Sequence, residues 1–346
     1  MPLYSLDPIT DQRWQDFVTK HPDSSAFHRR EWLKSLSDTY RYRPLVFTHS
    51  PPQSMLSDGI PFCEVKSWIT GKRLVSLPFS DHSEPLLGDA EDGDEFASEL
   101  AAKMQPMHVK YIELRSLCWQ APSSLFAPAQ SFWIHKLDLC KSKEALFNNL
   151  HKSSLQRRIR KAERDNLEYE RGSSANLIDE FCGLLLITRR RHHLLPQPKL
   201  WFENLAKNFK SDFQIRIARK DGKSIAAIVT LRHGNKIVYK YGCSDEQYHH
   251  LAGMPFLFWR LIEESNAEQA TELDFGRTDM ENEGLVRFKD QFGTVRSRLT
   301  YLRHPGVSEK NVSSIPTRFP VAGHIFSMLP ESISWRLGGL LYRHMG

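Results

Sequence analysis

The chain has 346 residues, 40% of them hydrophobic and 25% charged. That balance suits a globular protein with room for two ordinary domains and excludes a disordered or fibrous one. The formal net charge is +6, and the segment from Lys152 to Lys210 alone holds thirteen Lys/Arg against seven Asp/Glu. So concentrated an excess points to a local site for an anionic group and away from a surface built for DNA.

The first half opens with a strand at Leu3–Asp7 and two helical patterns, around Trp14–Phe17–Val18 and Phe27–Trp32–Leu33–Leu36. Strand-like runs follow at Pro44–Thr48, Phe62–Ile69 and Arg73–Phe79, with loops at Pro51–Gly59 and Ser80–Gly93. A helix at Glu95–Met104 leads to strands at Lys110–Arg115 and Phe132–Leu139. The second half is clearer. A helix from about Lys143 runs to near Asp165, then come a strand at Leu167–Arg171 and helices at Ala175–Arg191 and Lys199–Phe209. Three strands, Phe213–Arg219, Ser224–Arg232 and Lys236–Gly242, are joined by turns at Asp221-Gly222 and Gly234-Asn235. A helix at Met254–Ala270, a strand at Thr271–Phe275, a short helix at Glu283–Gln291 and a strand at Val295–Leu302 complete the order β-α-α-β-β-β-α-β-α-β. A mixed sheet covered by helices buries such elements most simply.

The tail holds two apolar clusters, Phe319–Val321–Ile325–Phe326–Met328–Leu329 and Ile333–Trp335–Leu337–Leu340–Leu341–Tyr342, the latter among Arg336, Arg343 and His344. It reads as a helix pair docked on the first domain, or as an amphipathic segment on a membrane surface. Cys63, Cys118, Cys140, Cys182 and Cys243 are odd in number and widely spaced, which argues against a disulfide framework or a zinc site. The opening MPLYSLDPITDQRW does not read as a signal peptide, and no apolar run is long enough for a bilayer span. The expected location is the cytoplasm, with peripheral contact at the inner membrane face left open through the tail.

Acyl transfer needs a nucleophile, a place for its proton and positive partners for an oxyanion. Arg157, Arg160 and Lys161 fall at i, i+3 and i+4 and share a helix face suited to a phosphate or carboxylate, although a solvated charged face is the plainer reading of such runs. Arg189-Arg190-Arg191 ends a helix, where cations favour the dipole. Asp274 and Arg277, in LDFGR at a strand end, are candidates for proton acceptor and substrate contact; a structural ion pair is the alternative. Tyr239 and Tyr241 alternate with Lys240, so the two rings are expected on one side of their strand. His192-His193 and His249-His250 lack the spacing of a helical zinc pair, and no metal site is expected. No Gly-x-Ser-x-Gly, P-loop or Gly-x-Gly-x-x-Gly motif occurs.

Five segments in order carry a resemblance: SAFHRREWLKSLSDTY with Trp32, LVSLPFSDHSEPLL, IELRS, RRIRKAERDNLEY, and the stretch Tyr239–Gly293 with YKYGCSD, MPFLFW, LDFGR and RFKDQFG. Together, over about residues 10–303, they resemble FemAB-like transferases, including those found with exopolysaccharide and exosortase gene sets. The resemblance implies two tandem GNAT-like α/β domains with mixed sheets, residues 1–142 and 143–305, followed by a helical tail, 306–346. It places the lysine of the Phe288-Lys289 pair at the reaction centre and adds Trp32, Tyr241 and Phe288 to the substrate-contacting candidates. It further implies an acyl- or aminoacyl-transferase that forms an amide on a cell-envelope or exopolysaccharide precursor. No cofactor is tightly bound; the donor is an acyl-CoA or an aminoacyl-tRNA, and the partners are an anionic or nucleotide-linked precursor and tRNA. The CoA-cradling Arg/Gln-x-x-Gly-x-Gly/Ala loop of ordinary GNAT enzymes is replaced by HHLAGMP, His249–Pro255, which leaves the donor open. A ligand-binding or scaffold protein on a degenerate GNAT fold is the rival expectation.

Overall fold

The computed structural model describes residues 2–88, 92–119, 121–305 and 329–346. These fall into two compact units. The first comprises residues 2–132, 298–305 and 340–346, the second residues 133–297 and 329–339.

In the first unit β1 (Tyr4–Leu6), α1 (Gln12–Lys20) and α2 (Arg30–Tyr40) precede β2 (Arg43–Thr48), β3 (Ile60–Ser67) and β4 (Gly71–Val75). Then come α3 (Asp92–Ala102), α4 (Met104–Met107), β5 (Ile112–Leu114) and the start of β6 (Ala127–Asp138). Asp11 caps α1 by accepting from the Arg13 amide at 3.0 Å. Strands β1 to β4 form an antiparallel meander. β5 lies parallel to β4 over only two residue pairs, Leu74 with Ile112 and Val75 with Glu113. The expected strand at Arg73–Phe79 stops at Val75 because Leu77 and Phe79 take φ of 59° and 62°, which no strand accommodates. Phe47, Phe62, Phe96, Leu100 and Ile112 form the core of this unit.

In the second unit α5 (Lys143–Asn149), a π-helical turn at Lys152–Gln156 and α6 (Arg157–Arg164) replace the single helix expected over 143–165. The break falls after Leu150, where the His151 amide turns to the Gln291 carbonyl at 2.9 Å. β7 (Glu168–Gly172), α7 (Ala175–Arg191) and α8 (Lys199–Phe209) follow, then β8 (Phe213–Lys220), β9 (Lys223–His233) and β10 (Lys236–Ser244). α9 (Gly253–Ala267), β11 (Glu272–Asp279) and α10 (Glu283–Asp290) complete this order, as the hydrophobic pattern indicated. The sheet runs β11-β10-β9-β8-β7, with the later half of β6 beside β11. β10 and β11 are parallel, while β7 to β10 are antiparallel neighbours. Ile159 and Ala162 bury one face of α6, beside Leu155 of the π-helical turn, in a core with Phe256, Leu257, Leu261 and Phe275.

β12 (Val295–His304) departs from the expected domain limits. From Arg298 onward it belongs to the first unit, where Leu302–His304 pair antiparallel with β5. The other division falls at Trp133, where the sequence suggested Lys143. The last helix, α11, spans Glu331–Tyr342. Within the second unit the Leu329 carbonyl accepts from Arg190 at 2.7 Å. Within the first, Tyr42 donates to the Tyr342 carbonyl at 3.0 Å, and the buried Arg73 donates to the Gly346 and His344 carbonyls, each at 2.9 Å. These residues dock on protein. The first apolar tail cluster, apart from Leu329, lies outside the described residues. No helix among the described residues is long and apolar enough to cross a membrane.

Candidate active site of the second unit

The parallel strands β10 and β11 pair at Lys236–Glu272, Ile237–Leu273 and Val238–Asp274, and pair no further. At that point β10 carries a bulge. Tyr239 opposes Thr230 and Tyr241 opposes Val229, so Lys240 is the extra residue. A bulge bends its strand and re-aims the side chains beside it. The expected alternation of the two tyrosines is therefore broken. Tyr239 packs edge-on against Phe258 of α9 at 4.7 Å, whereas Tyr241 packs against Phe202 of α8 at 5.2 Å and accepts a hydrogen bond from the Trp201 indole at 2.8 Å. Tyr241 is buried and supports the core. Tyr239 is half-buried where the strands part.

The end of β11 is held by its own sequence. The Asp274 carboxylate accepts from the Gly276 amide at 2.6 Å and is almost fully buried. Gly276 takes a φ of 70°, a turn conformation that glycine adopts without strain. Asn282 caps α10 by accepting from the Leu285 amide, and the helix carries Lys289 back under the turn. The Lys289 ammonium, 2% exposed, donates to the Gly276 carbonyl at 2.8 Å and the Arg277 carbonyl at 3.2 Å. Arg277 itself is exposed. Asp274, Arg277 and Lys289 thus lie together, with Asp274 and Lys289 engaged on backbone. Phe288 joins Phe258, Phe275 and Phe292 in an aromatic cluster, at 5.7 Å from Phe258 and 5.2 Å from Phe292.

His135, on β6, was not singled out by the sequence. It is fully buried, and its Nε2 lies 3.2 Å from the Asp290 carboxylate. Burial and the nearby Lys289 charge push its pKa down to about 4, against the opposing pull of Asp290. A neutral imidazole next to a buried ammonium results. A lone histidine in a strand gives no signal in sequence; only its place beside the Lys289-Asp290 pair reveals it.

The cationic face differs from expectation by one residue. A groove of about 760 Å³ is lined by Lys152, Arg157, Arg160, Glu163 and Arg164. Arg157, Arg160 and Arg164 stand at i, i+3 and i+7 of the helical row, and the Arg160 guanidinium lies over the Phe147 ring at 5.3 Å. Lys161 is turned away. It pairs with Asp165 at 2.6 Å and donates to the His250 carbonyl at 3.2 Å. Arg164 takes the place the sequence gave to Lys161. Four cations against one carboxylate give the groove a positive charge.

HHLAGMP forms a 3-10 turn and the start of α9. Ala252 takes a φ of 61°, and no side chain caps the helix. A Cβ on Gly253 would lie 3.0 Å from the Ala226 Cβ, so this glycine lets α9 approach β9. Trp32 belongs to the first unit. It is fully buried, edge-on against Phe27 at 4.9 Å, and packs a core instead of lining a site. No group of His, Cys, Asp and Glu among the described residues could hold a metal ion.

Residues 150–290 match the family model of an acetyltransferase (GNAT) domain. A stretch of 110 residues is 31% identical to the UDP-N-acetylmuramoylpentapeptide-lysine N(6)-alanyltransferase of Weissella viridescens, covering 31% of this chain and 33% of that enzyme. The match therefore spans about a third of the curated relative. The fold is similar to the crystal structure of FemX, with a TM-score of 0.66 at 12% identity over 92% of this chain and 100% of the other. It is also similar to a tandem GNAT protein from the clavulanic acid biosynthesis pathway, with a TM-score of 0.51 at 10% identity over 89% and 99% of the two chains. The fold is that of tandem GNAT-like α/β proteins, residues 150–290 match a GNAT acetyltransferase domain, and the chain is similar to FemAB-like GNAT proteins.

Proposed function

We propose that this protein transfers an aminoacyl or acyl group to a primary amine of a nucleotide-linked cell-envelope precursor. The observation that carries the reading is the parting of β10 and β11 after Val238 and Asp274, beside a lysine buried under the β11 turn. Past that point the two strands diverge, and an extended donor arm can lie in the opening between them. The amine attacks the donor carbonyl, the C–N bond forms and the bond to the donor's oxygen or sulfur breaks. One proton leaves the amine, and the leaving group takes one up. Lys289 fixes the Gly276–Arg277 backbone that shapes the opening and brings a positive charge close to where an oxyanion develops. Arg157, Arg160 and Arg164 hold the phosphates of the precursor or the donor, and Arg277 is the exposed cation nearest the turn. The alanyltransferase match supports aminoacyl-tRNA over acyl-CoA as donor, as does the single glycine of HHLAGMP.

The experiment is mass spectrometry of products after mixing the protein with panels of aminoacyl-tRNAs and acyl-CoAs and with nucleotide-linked sugars and sugar-peptides. An amide product whose mass equals acceptor plus acyl group less one hydrogen supports the reading. The engagement of Asp274 and Lys289 on backbone favours the rival, a ligand-binding protein. Nucleotide binding with no product across the panels assigns that role.

A further inference from the structure

The turn joining β3 to β4 lifts two apolar side chains into solvent. Trp68 is 85% exposed and Ile69 49% exposed. Two further segments of the first unit lie against this turn. The Lys110 amide donates to the Lys72 carbonyl at 2.7 Å, and the Lys72 ammonium donates to the Met107 carbonyl at 2.7 Å. The His344 ring contacts Trp68 at 5.7 Å and sits 3.1 Å from the Ser67 hydroxyl. One helical turn before His344 stands Leu340, 57% exposed.

The charges of these three segments have one sign. Residues 65–73, 103–111 and 340–346 contain Lys66, Lys72, Arg73, Lys103, Lys110 and Arg343 and no Asp or Glu. The one carboxylate of the hairpin, Glu64, is 4% exposed and already held by Lys66 at 3.1 Å and Lys72 at 2.9 Å. Arg73 is buried on the carbonyls described above. Lys66, Lys110 and Arg343 are left at the surface around an apolar tip.

We propose that this face of the first unit binds the surface of an anionic lipid bilayer, with Trp68 and Ile69 entering the headgroup region and Lys66, Lys110 and Arg343 meeting lipid phosphates. A tryptophan with an apolar body and a polar indole N–H suits the interface between water and hydrocarbon. Cationic side chains beside it are drawn to an anionic leaflet. A nucleic acid would satisfy the charges yet offers no apolar interior to Ile69 and Leu340. The surface is independent of the transfer reading and differs from the expected tail contact in resting chiefly on the β3–β4 turn.

The test is flotation of the full chain with vesicles of phosphatidylcholine alone and of phosphatidylcholine mixed equally with phosphatidylglycerol. The parent is expected to float with the mixed vesicles only, and less at high salt. Trp68→Ser with Ile69→Ser should lower the bound fraction about tenfold or more. Lys66→Glu and Lys110→Glu should each lower it about fivefold. These side chains are at the surface, and thermal melts of the variants alongside the parent check that folding is intact. No flotation of the parent, or equal flotation of the double serine variant, overturns the proposal. So does light scattering that shows self-association of the parent lost in the serine variant, which would give the face to a second copy of the chain.

Discussion

Lys289 and Gly276 are joined across 2.8 Å, ammonium to carbonyl, by a hydrogen bond that ties α10 to the end of β11. A second bond to the Arg277 carbonyl makes the lysine a clamp on the turn. Lys289→Met keeps the stem but leaves two carbonyls without this donor. Unfolding in urea should show a loss of about 1–3 kcal/mol. If the clamp also shapes the reaction centre, turnover with an identified substrate should fall about a hundredfold or more. A methionine variant as stable and as fast as the parent would remove Lys289 from both roles.

Reversing charge in the groove separates its members. Arg160→Glu and Arg164→Glu should weaken binding of uridine diphosphate by roughly 1–3 kcal/mol each, the range of a charge-assisted hydrogen bond. Lys161→Gln should leave affinity unchanged, because that lysine is paired with Asp165. Calorimetric titration of the three variants decides it. Equal affinities throughout would return the groove to a solvated charged face.

Acid should act on the second unit through His135. Its folded pKa, near 4, is depressed from an ordinary 6.5 first by burial and then by Lys289, with Arg296 adding to the effect and Asp290 opposing it. The unfolded chain takes up this proton before the folded one does. The stabilisation is therefore complete above 6.5 and is lost as pH falls from 6.5 toward about 4. Urea midpoints measured across that window should fall in the parent and fall less steeply in His135→Gln. Parallel curves for the two proteins would show that His135 does not titrate there.

Gly242 offers a way to move Tyr239 without removing it. A Cβ at Gly242 would lie 2.1 Å from the Tyr239 hydroxyl and 3.1 Å from the Met254 Cε, both ends of side chains that can swing. Gly242→Ala should shift the phenol away from the opening of β10 and β11 with a stability change of about 1 kcal/mol or less, since no backbone atom is struck. Substrate affinity measured beside thermal stability tests it. Unchanged affinity would leave Tyr239 a packing residue of α9.

The elements of the second unit were legible because each carries its own punctuation. Asp221-Gly222 and Gly234-Asn235 turn the three strands where expected, with positive φ at Asp221, Gly222 and Gly234. The cationic groove was legible as a charge run, but the choice between Lys161 and Arg164 depended on Asp165, which captures the lysine. The tyrosine pair was misjudged because a bulge at Lys240 has no sequence mark in a strand of ordinary β-formers. Trp32 carried a family resemblance, yet burial against Phe27 explains its presence without a ligand. Asp274 and Lys289 stand as separate candidates in the sequence. That both engage the Gly276 turn follows only from the path of the backbone.

The late pairing partner of β5 has a consequence for synthesis. Ile112–Leu114 meet Leu302–His304, a strand made long after them, and the whole stretch 133–297 emerges in between. Until then the free edge of β5 has no strand to close it and resembles the unpaired edges through which chains aggregate. Strands β7 to β11 of the second unit end at Asp279, so they can pair while the first unit still waits. On the ribosome the order of folding is thus the reverse of the order of translation, and the amino-terminal unit is the one exposed to chaperones and proteases for longest.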